Sequence, residues 1–437
     1  MPPTAVDSSM QRFFSEARVQ RLGAFWSGLI IVGIFASGAV RVLPSIGVAG
    51  LFLTGVGYAL AHRCVAQWAR WPETLSFGLI YLLHVASGLW QARLADAALQ
   101  QDLVLELPFV LLPVSFLLLP GWRPGHKRLL WLVLIGCCLA AAAGAAANYW
   151  HHHEEINRLY LQSQVMPTAP DHIRFSLLVS MAVLAGAVLL ATGRLPKRLR
   201  HALLGAVLLL FLFQHLLAVR SGLVTMYAAI ALGLGWLGWQ LGRWKTVLVG
   251  GLAMAALAGA CLLLFPTLQN KITNTRDDSA RLETVGAANN YSVTARVYSY
   301  AAAWGVVRAH PVAGVGKVKL EDAMAWQYHA RFPEIGPEHY LLPHNQFLYN
   351  LAAYGAVGLV VFLFGFYYPL WLGIRRRNIM LLLMYLIVSL SFTVEYTLET
   401  QIGVLTGLFF ILLAAAPTAP PQPARPRPTE GFLARAG

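Results

Sequence analysis

Apolar residues run along this chain in long blocks, without the spaced stripe of a soluble helix or the alternation of a half-buried strand. A helix needs roughly 20 mostly apolar residues to cross a bilayer at 1.5 Å rise per residue, and most blocks approach that length. The pattern predicts spans over Gly23–Val40, Ile46–Ala61, Leu75–Trp90, Leu103–Leu119, Leu129–Asn148, Phe175–Thr192, Ala202–Val219, Leu223–Trp239, Val247–Phe265, Gln346–Ile374, Ile379–Val394 and Ile402–Ala415. The expected fold class is therefore all-α: a polytopic membrane protein with about 12 transmembrane helices, because lipid offers no partner to an open sheet edge.

Between the ninth and tenth spans lie about 80 residues, Pro266 to Asn345, which divide the chain. The predicted organisation is a cytosolic N-terminal segment (1–22), nine spans (23–265), a large loop (266–345), three spans (346–416) and a cytosolic, disordered Pro-rich tail (417–437). A loop of that length in a compact protein usually carries function. Within it, Ser292 to Arg308 places Val293, Val297, Ala301, Trp304 and Val307 on one side, which predicts an amphipathic helix lying over the membrane face. A second helix is expected over Lys317 to Phe332, and the turn between them, His310-Pro311-Val312-Ala313-Gly314-Val315-Gly316, is built of helix breakers.

Composition agrees with the pattern. The 437 residues are 57% hydrophobic and 12% charged, with mean hydropathy +0.59, whereas a soluble domain carries about twice that charge density. The net charge of +14 is a topology signal. With a cytosolic N terminus, the connections on that side hold Arg63 and Arg70; Arg123, Lys127 and Arg128; Arg194, Lys197, Arg198 and Arg200; Arg243 and Lys245; and Arg375, Arg376 and Arg377. That bias is the positive-inside rule, and it turns the large loop to the opposite face. Basic residues scattered over many loops make no nucleic-acid stripe, so no nucleic-acid partner is expected. Cys64, Cys137, Cys138 and Cys261 lie in or beside apolar runs without C-x2-C spacing, which predicts neither a zinc site nor a disulfide framework. The first 22 residues are polar and the first apolar run is long enough to span, so no cleavable signal peptide is expected.

One string carries a resemblance. His344-Asn345, nine residues, then Gly355-Ala356-Val357-Gly358 is similar to the H-[NSQ]-x9-G-x-x-[GTY] pattern of the O-antigen ligase and polymerase superfamily, at the end of the large loop where that family places it. The H-P-x-x-G-x-G stretch (His310, Pro311, Gly314, Gly316) and the Arg220-Ser221-Gly222 junction resemble the same family, from about Phe175 to Leu413. The resemblance implies a GT-C-like, metal-independent membrane glycosyltransferase of the bacterial inner membrane with its active site facing the periplasm. It also implies no cofactor, an undecaprenyl diphosphate-linked O-antigen as donor, lipid A-core as acceptor, and surrounding membrane lipids as partners.

A sugar hydroxyl is a weak nucleophile, and a group titrating near neutrality suits its activation. His344 is the expected catalytic residue; its plainer reading is a helix-start residue satisfied by backbone. A departing diphosphate needs fixed cations, and arginine pairs with phosphate oxygens in two places. Arg220, in a very short turn between spans, and Arg296, on the loop helix, are expected in that role, against snorkelling and a solvated face. Asn345 is expected to orient His344 or substrate, His339 to assist at the headgroup, and Lys317 and Lys319 to form a basic rim. Gly355 and Gly358 are expected to let a neighbouring helix pack closely. No metal site is expected: Asp277 and Asp278 are adjacent and point apart on a helix, and His151, His152 and His153 diverge likewise. Glu395 and Glu399 read as a carboxylate pair or as an interfacial loop. O-antigen polymerase, protein O-oligosaccharyltransferase and, in a different class, a transporter remain alternatives to the ligase.

Overall fold

The computed structural model describes residues 10–62, 72–91, 96–193, 195–242 and 244–418. Arg63, Cys64, Arg70, Arg194, Arg243 and nearly all of the Pro-rich tail lie outside the described residues. The helices are α1 (Glu16–Ala36), α2 (Leu43–His62), α3 (Phe77–Gln91), α4 (Ala97–Glu106), α5 (Pro108–Leu118), α6 (Pro124–His151), α7 (His153–Leu161), α8 (His172–Thr192), α9 (Lys197–Leu217), α10 (Arg220–Leu241) and α11 (Trp244–Leu264). The loop supplies α12 (Pro266–Ser279), α13 (Ser292–Ala309) and α14 (Lys317–Arg331), followed by α15 (Gln346–Tyr367), α16 (Leu370–Arg375), α17 (Ile379–Ser391) and α18 (Gln401–Ala415).

Among the described residues, nine helical stretches are long and apolar enough to cross a membrane, and three shorter apolar helices accompany them. Each predicted span falls on one of these. The chain is an all-α multi-pass membrane protein.

Position in the bundle follows from what each helix can bury. The α8 helix is central, with Phe175 to Gly186 buried in an unbroken run. Its small polar residues take interhelical bonds: Gln214 Nε2 donates to Ser176 O (3.1 Å) and Ser180 Oγ donates to Gly222 O (3.1 Å). At the other extreme α11 presents Leu248, Val249, Leu252, Leu263 and Leu264 outward, a surface that water would not tolerate and lipid does.

The loop folds as a small layer on one end of the bundle. Its core joins Ala295, Ala302, Ala303 and Val306 of α13 to Leu320, Met324 and Tyr328 of α14 and to Tyr349, Ala352 and Ala353 of α15. The α13 helix forms where the pattern put it, and its buried face is built largely of alanines. Val297 and Trp304 are exposed, as apolar residues turned to a membrane face would be, whereas Val307 of the same set is buried and small alanines allow the close approach to α14 and α15.

The α15 helix is broken at Gly355, where φ is +65° and ψ −170°. The freed backbone groups pair with the breaker-rich turn: Val315 N donates to Ala352 O (3.1 Å), Gly316 N to Ala353 O (2.6 Å) and Ala356 N to Pro311 O (2.9 Å). A Cβ on Gly355 would lie 2.2 Å from the Val312 carbonyl carbon, and one on Gly314 would lie 2.3 Å from Ala353 O. The expectation that Gly355 serves close helix packing is thus corrected, while Gly358 does face Leu83 of α3, 3.4 Å from where a Cβ would stand. Gly355 admits the loop's backbone, and a Cβ on Gly358 would meet Tyr354 of its own kinked helix first. The two glycine motifs are halves of one joint.

Candidate active site

The start of α15 sets the first part of the site. Asn345 is its N-cap: Oδ1 accepts from Leu348 N (3.0 Å), and Nδ2 donates to Thr393 O (3.3 Å). Its amide is spent on backbone, and any effect on His344 passes through the main chain. Gln346 holds the same outer connection, its N donating to Phe392 O (2.8 Å) and its Oε1 accepting from Leu398 N (2.9 Å). These bonds bring residues 392–398 against His344, whose Nδ1 lies 3.0 Å from Glu395 Oε2. Glu395 is only 3% exposed, so its charge needs a partner, and the imidazole is the one present. An Nδ1–H donated to Glu395 leaves Nε2 free to accept a proton. Tyr300 of α13 donates its hydroxyl to His344 O (2.7 Å), and Tyr396 tilts its ring over the imidazole with centroids 5.2 Å apart.

Cations form the second part. Arg220 opens α10 after the left-handed Ala218 that closes α9. Gly222 seats this turn, since a Cβ there would lie 2.5 Å from Ser176 Cβ. The guanidinium donates to Thr275 Oγ1 (3.1 Å) and Ser292 Oγ (3.2 Å) and forms no ion pair with a carboxylate among the described residues. Asp278 determines where α13 begins: its carboxylate accepts from Val293 N (2.6 Å) and Thr294 N (2.9 Å). That cap fixes Arg296 one turn on, and among the described residues its guanidinium has no hydrogen bond or ion pair.

Lys271, which the sequence reading missed, completes the set. The buried face of α12 is polar throughout, Thr267, Lys271, Asn274 and Asp278. Thr267 bonds Leu216 O (2.7 Å) and Asn274 bonds Leu161 O (2.9 Å), whereas the Lys271 ammonium has no hydrogen bond or ion pair among the described residues. Burial, with Arg220 and Arg296 nearby and Asp278 partly offsetting them, lowers its pKa from 10.5 to about 8. The same burial raises Tyr300, opposed by Arg296 and reinforced by Glu395. Tyr300 therefore lies within electrostatic range of both Arg296 and Glu395, the histidine's partner, which links the two parts. The signal for Lys271 was the 4-3-4 spacing of polar residues from Thr267 to Asp278 in a loop helix.

The remaining candidates sit elsewhere. Lys317, expected at a basic rim, turns inward to Glu399 (2.8 Å), Glu106 (3.0 Å) and Asp102 (3.5 Å). Three carboxylates outcompete lipid headgroups for one ammonium, which corrects that expectation. Glu399 and Glu395 do not pair, since Glu399 also accepts from Gln346 Nε2 (2.8 Å). His84, Glu106 and Glu399 come close enough to share an ion, but the Lys317 ammonium stands among them as the resident cation. Lys319 is exposed and His310 is at the surface. His339 is half-exposed with Glu338 at 3.5 Å. His215 bonds Tyr227 Oη (2.6 Å) across helices, as an interhelical polar pair.

No curated protein matches the sequence. Residues 215–363, the stretch holding Arg220, Lys271, Arg296, His344 and the Gly355 break, match the family described as O-antigen ligase.

Proposed function

We propose that this protein transfers an O-antigen polysaccharide from undecaprenyl diphosphate to lipid A-core on the periplasmic face of the bacterial inner membrane. The coarse activity, of O-antigen ligase or polymerase type, rests on the family match. The observation that carries the finer reading is a His344–Glu395 dyad (3.0 Å) within electrostatic range of a cluster of three cations, Arg220, Arg296 and Lys271, none of which forms an ion pair with a carboxylate among the described residues. A base without such cations would suit many reactions. Beside them it suits displacement of a diphosphate.

In this reading the acceptor oxygen attacks the anomeric carbon from the face opposite the carrier, and the carbon–oxygen bond to the diphosphate breaks. The acceptor's proton passes to His344 Nε2, and the bonding pair leaves on undecaprenyl diphosphate. The stereochemistry inverts. Glu395 holds the imidazole's tautomer and stabilises its charge when protonated. The three cations neutralise the leaving group in a partly desolvated setting, where fixed charges count for more than in water. With positive charge already supplied by side chains, the transfer is metal-independent.

Deleting the protein from cells separates the possible acceptors. The ligase reading expects lipopolysaccharide to lose its long-chain glycan while carrier-linked polymer accumulates. Loss of the polymer itself would assign a polymerase, and unchanged lipopolysaccharide with altered glycoproteins a protein transferase.

A further inference from the structure

A cavity of about 370 Å³ is lined by Arg41 from the α1–α2 connection, Asp171 and Arg174 from the start of α8, and Thr400 and Gln401 from the start of α18. That size falls within the range of small-ligand sites, roughly 300 to 1,000 Å³. None of the groups assigned to the base or the leaving group lines it.

Its charges are not accounted for by the fold. The Arg174 side chain is only 14% exposed, and its Nη1 meets Asp171 at 3.3 Å. Its Nε is buried with no hydrogen-bond partner. Asp171 is already engaged, capping Ile173 N (3.1 Å) and lying 3.4 Å from His172 Nδ1. Arg41 is exposed and pairs with no acid among the described residues. A buried guanidinium donor left unmade is costly, and two arginines with one carboxylate, engaged by Arg174, leave the cavity lining one positive charge in excess. Both arginines also stand at the loop end of the bundle, where the positive-inside bias would not place them.

The cavity lies within electrostatic range of the reacting groups. Tyr396, whose ring lies over His344, is within electrostatic range of Arg174. His172, next to Asp171, is within range of Lys271, Arg296 and Glu395.

We propose that this cavity is an acceptor subsite, in which Arg41 and Arg174 hold a phosphate or carboxylate group on the acceptor glycolipid and so bring its sugar hydroxyl to His344. The inference rests on the glycosyl-transfer reading above and adds to it a second anion site, separate from the one for the donor's diphosphate. A polysaccharide acceptor without anionic groups would gain nothing from it.

The test uses the full-length protein in nanodiscs, with carrier-linked O-antigen as donor and lipid A-core as acceptor, either phosphorylated on its core sugars or enzymatically dephosphorylated. Arg41→Gln and Arg174→Gln are each expected to raise the KM for phosphorylated acceptor about tenfold, the size of one lost charge-assisted hydrogen bond, while the donor KM holds. The dephosphorylated acceptor should show the raised KM with wild type and no further rise with Arg41→Gln. An unchanged acceptor KM in Arg41→Gln, at an exposed side chain with no ion pair among the described residues, would overturn the subsite, as would an equal rise in donor KM. If wild type transfers to no acceptor, the transferase reading itself fails. Direct binding of the phosphorylated glycolipid to wild type and Arg41→Gln then still decides the cavity: weaker binding by the variant supports it and equal binding overturns it. Loss of that binding on adding excess phosphatidylglycerol vesicles would assign the cavity to bulk lipid headgroups and overturn the acceptor assignment.

Discussion

His344 is defined by what its neighbours leave free. Its Nδ1 is taken by Glu395, so Nε2 is the ring nitrogen left for the proposed base role. Replacing His344 with Ala is expected to lower kcat/KM for transfer by about 10² to 10⁴ without changing donor binding, the usual contribution of a positioned base. Steady-state kinetics with both lipid substrates read it, and near-normal transfer would remove His344 from the chemistry. Lys271 makes a second prediction, on pH. Its pKa is lowered from 10.5 to about 8, so it is charged below about pH 8 and neutral above, while the unfolded chain keeps its proton to higher pH. Donor kcat/KM should therefore fall as pH rises through about 8, and Lys271→Arg should carry the plateau further into the alkaline range. Between those two pKa values the native state has already released a proton that the unfolded chain retains, so conformational stability rises with pH across the same window. A donor kcat/KM flat from pH 7 to 10 would exclude a role for this charge.

At the scale of elements the joint between the loop and α15 governs the site. The Gly355 break lets Pro311 to Gly316 supply the hydrogen bonds that the helix gives up, and the segment above the break, Gln346 to Tyr354, carries His344 at its end. Gly355→Ala would place a methyl 2.2 Å from Val312 backbone at a left-handed φ. Strain of that kind costs roughly 1 to 3 kcal/mol, before the clash is relieved by moving the turn. The expected result is a lower thermal midpoint in detergent together with lost transfer. A variant as stable and active as wild type would show that the joint does not need glycine.

The whole molecule is tied across its layers by Lys317. It joins α14 of the loop to Asp102 and Glu106 of the bundle and to Glu399 of the outer connection, and through Glu399 to Gln346, two residues from His344. Burial disfavours its charge, but Glu399 and Glu106 outweigh burial and hold its pKa well above the ordinary value. Lys317→Met would leave buried carboxylates uncompensated, at a cost of about 3 to 5 kcal/mol by analogy with broken buried pairs. Unfolding in detergent should show a large loss of stability, and an unchanged midpoint would mean that the carboxylates find other partners. The fixed cations of the site bear on the whole reaction too. Transfer by purified protein is expected to persist in excess EDTA, and its abolition there, with recovery on adding a divalent ion, would reject metal independence.

What the sequence determined by itself was whatever depends on local composition. Each of the apolar blocks became a helix because a run of such residues has no other stable form in lipid, and the breaker-rich turn at His310 to Gly316 could not continue one. The H-N-x9-G-x-x-G string also pointed to the candidate site, because its residues sit together on one helix and the two positions before it. What lay beyond the sequence needed partners distant in the chain. Glu395 is 51 positions from His344, and nothing local distinguishes it from Glu399, yet one meets a histidine and the other a lysine. Lys317 reads as a rim cation until three carboxylates from separate elements surround it. Lys271 gains its meaning only when burial removes water and leaves its charge unpaired beside Arg220 and Arg296. The sequence determines which elements form; tertiary packing decides which charges are neutralised and which are left for a ligand, because desolvation and pairing are properties of what the folded chain brings together.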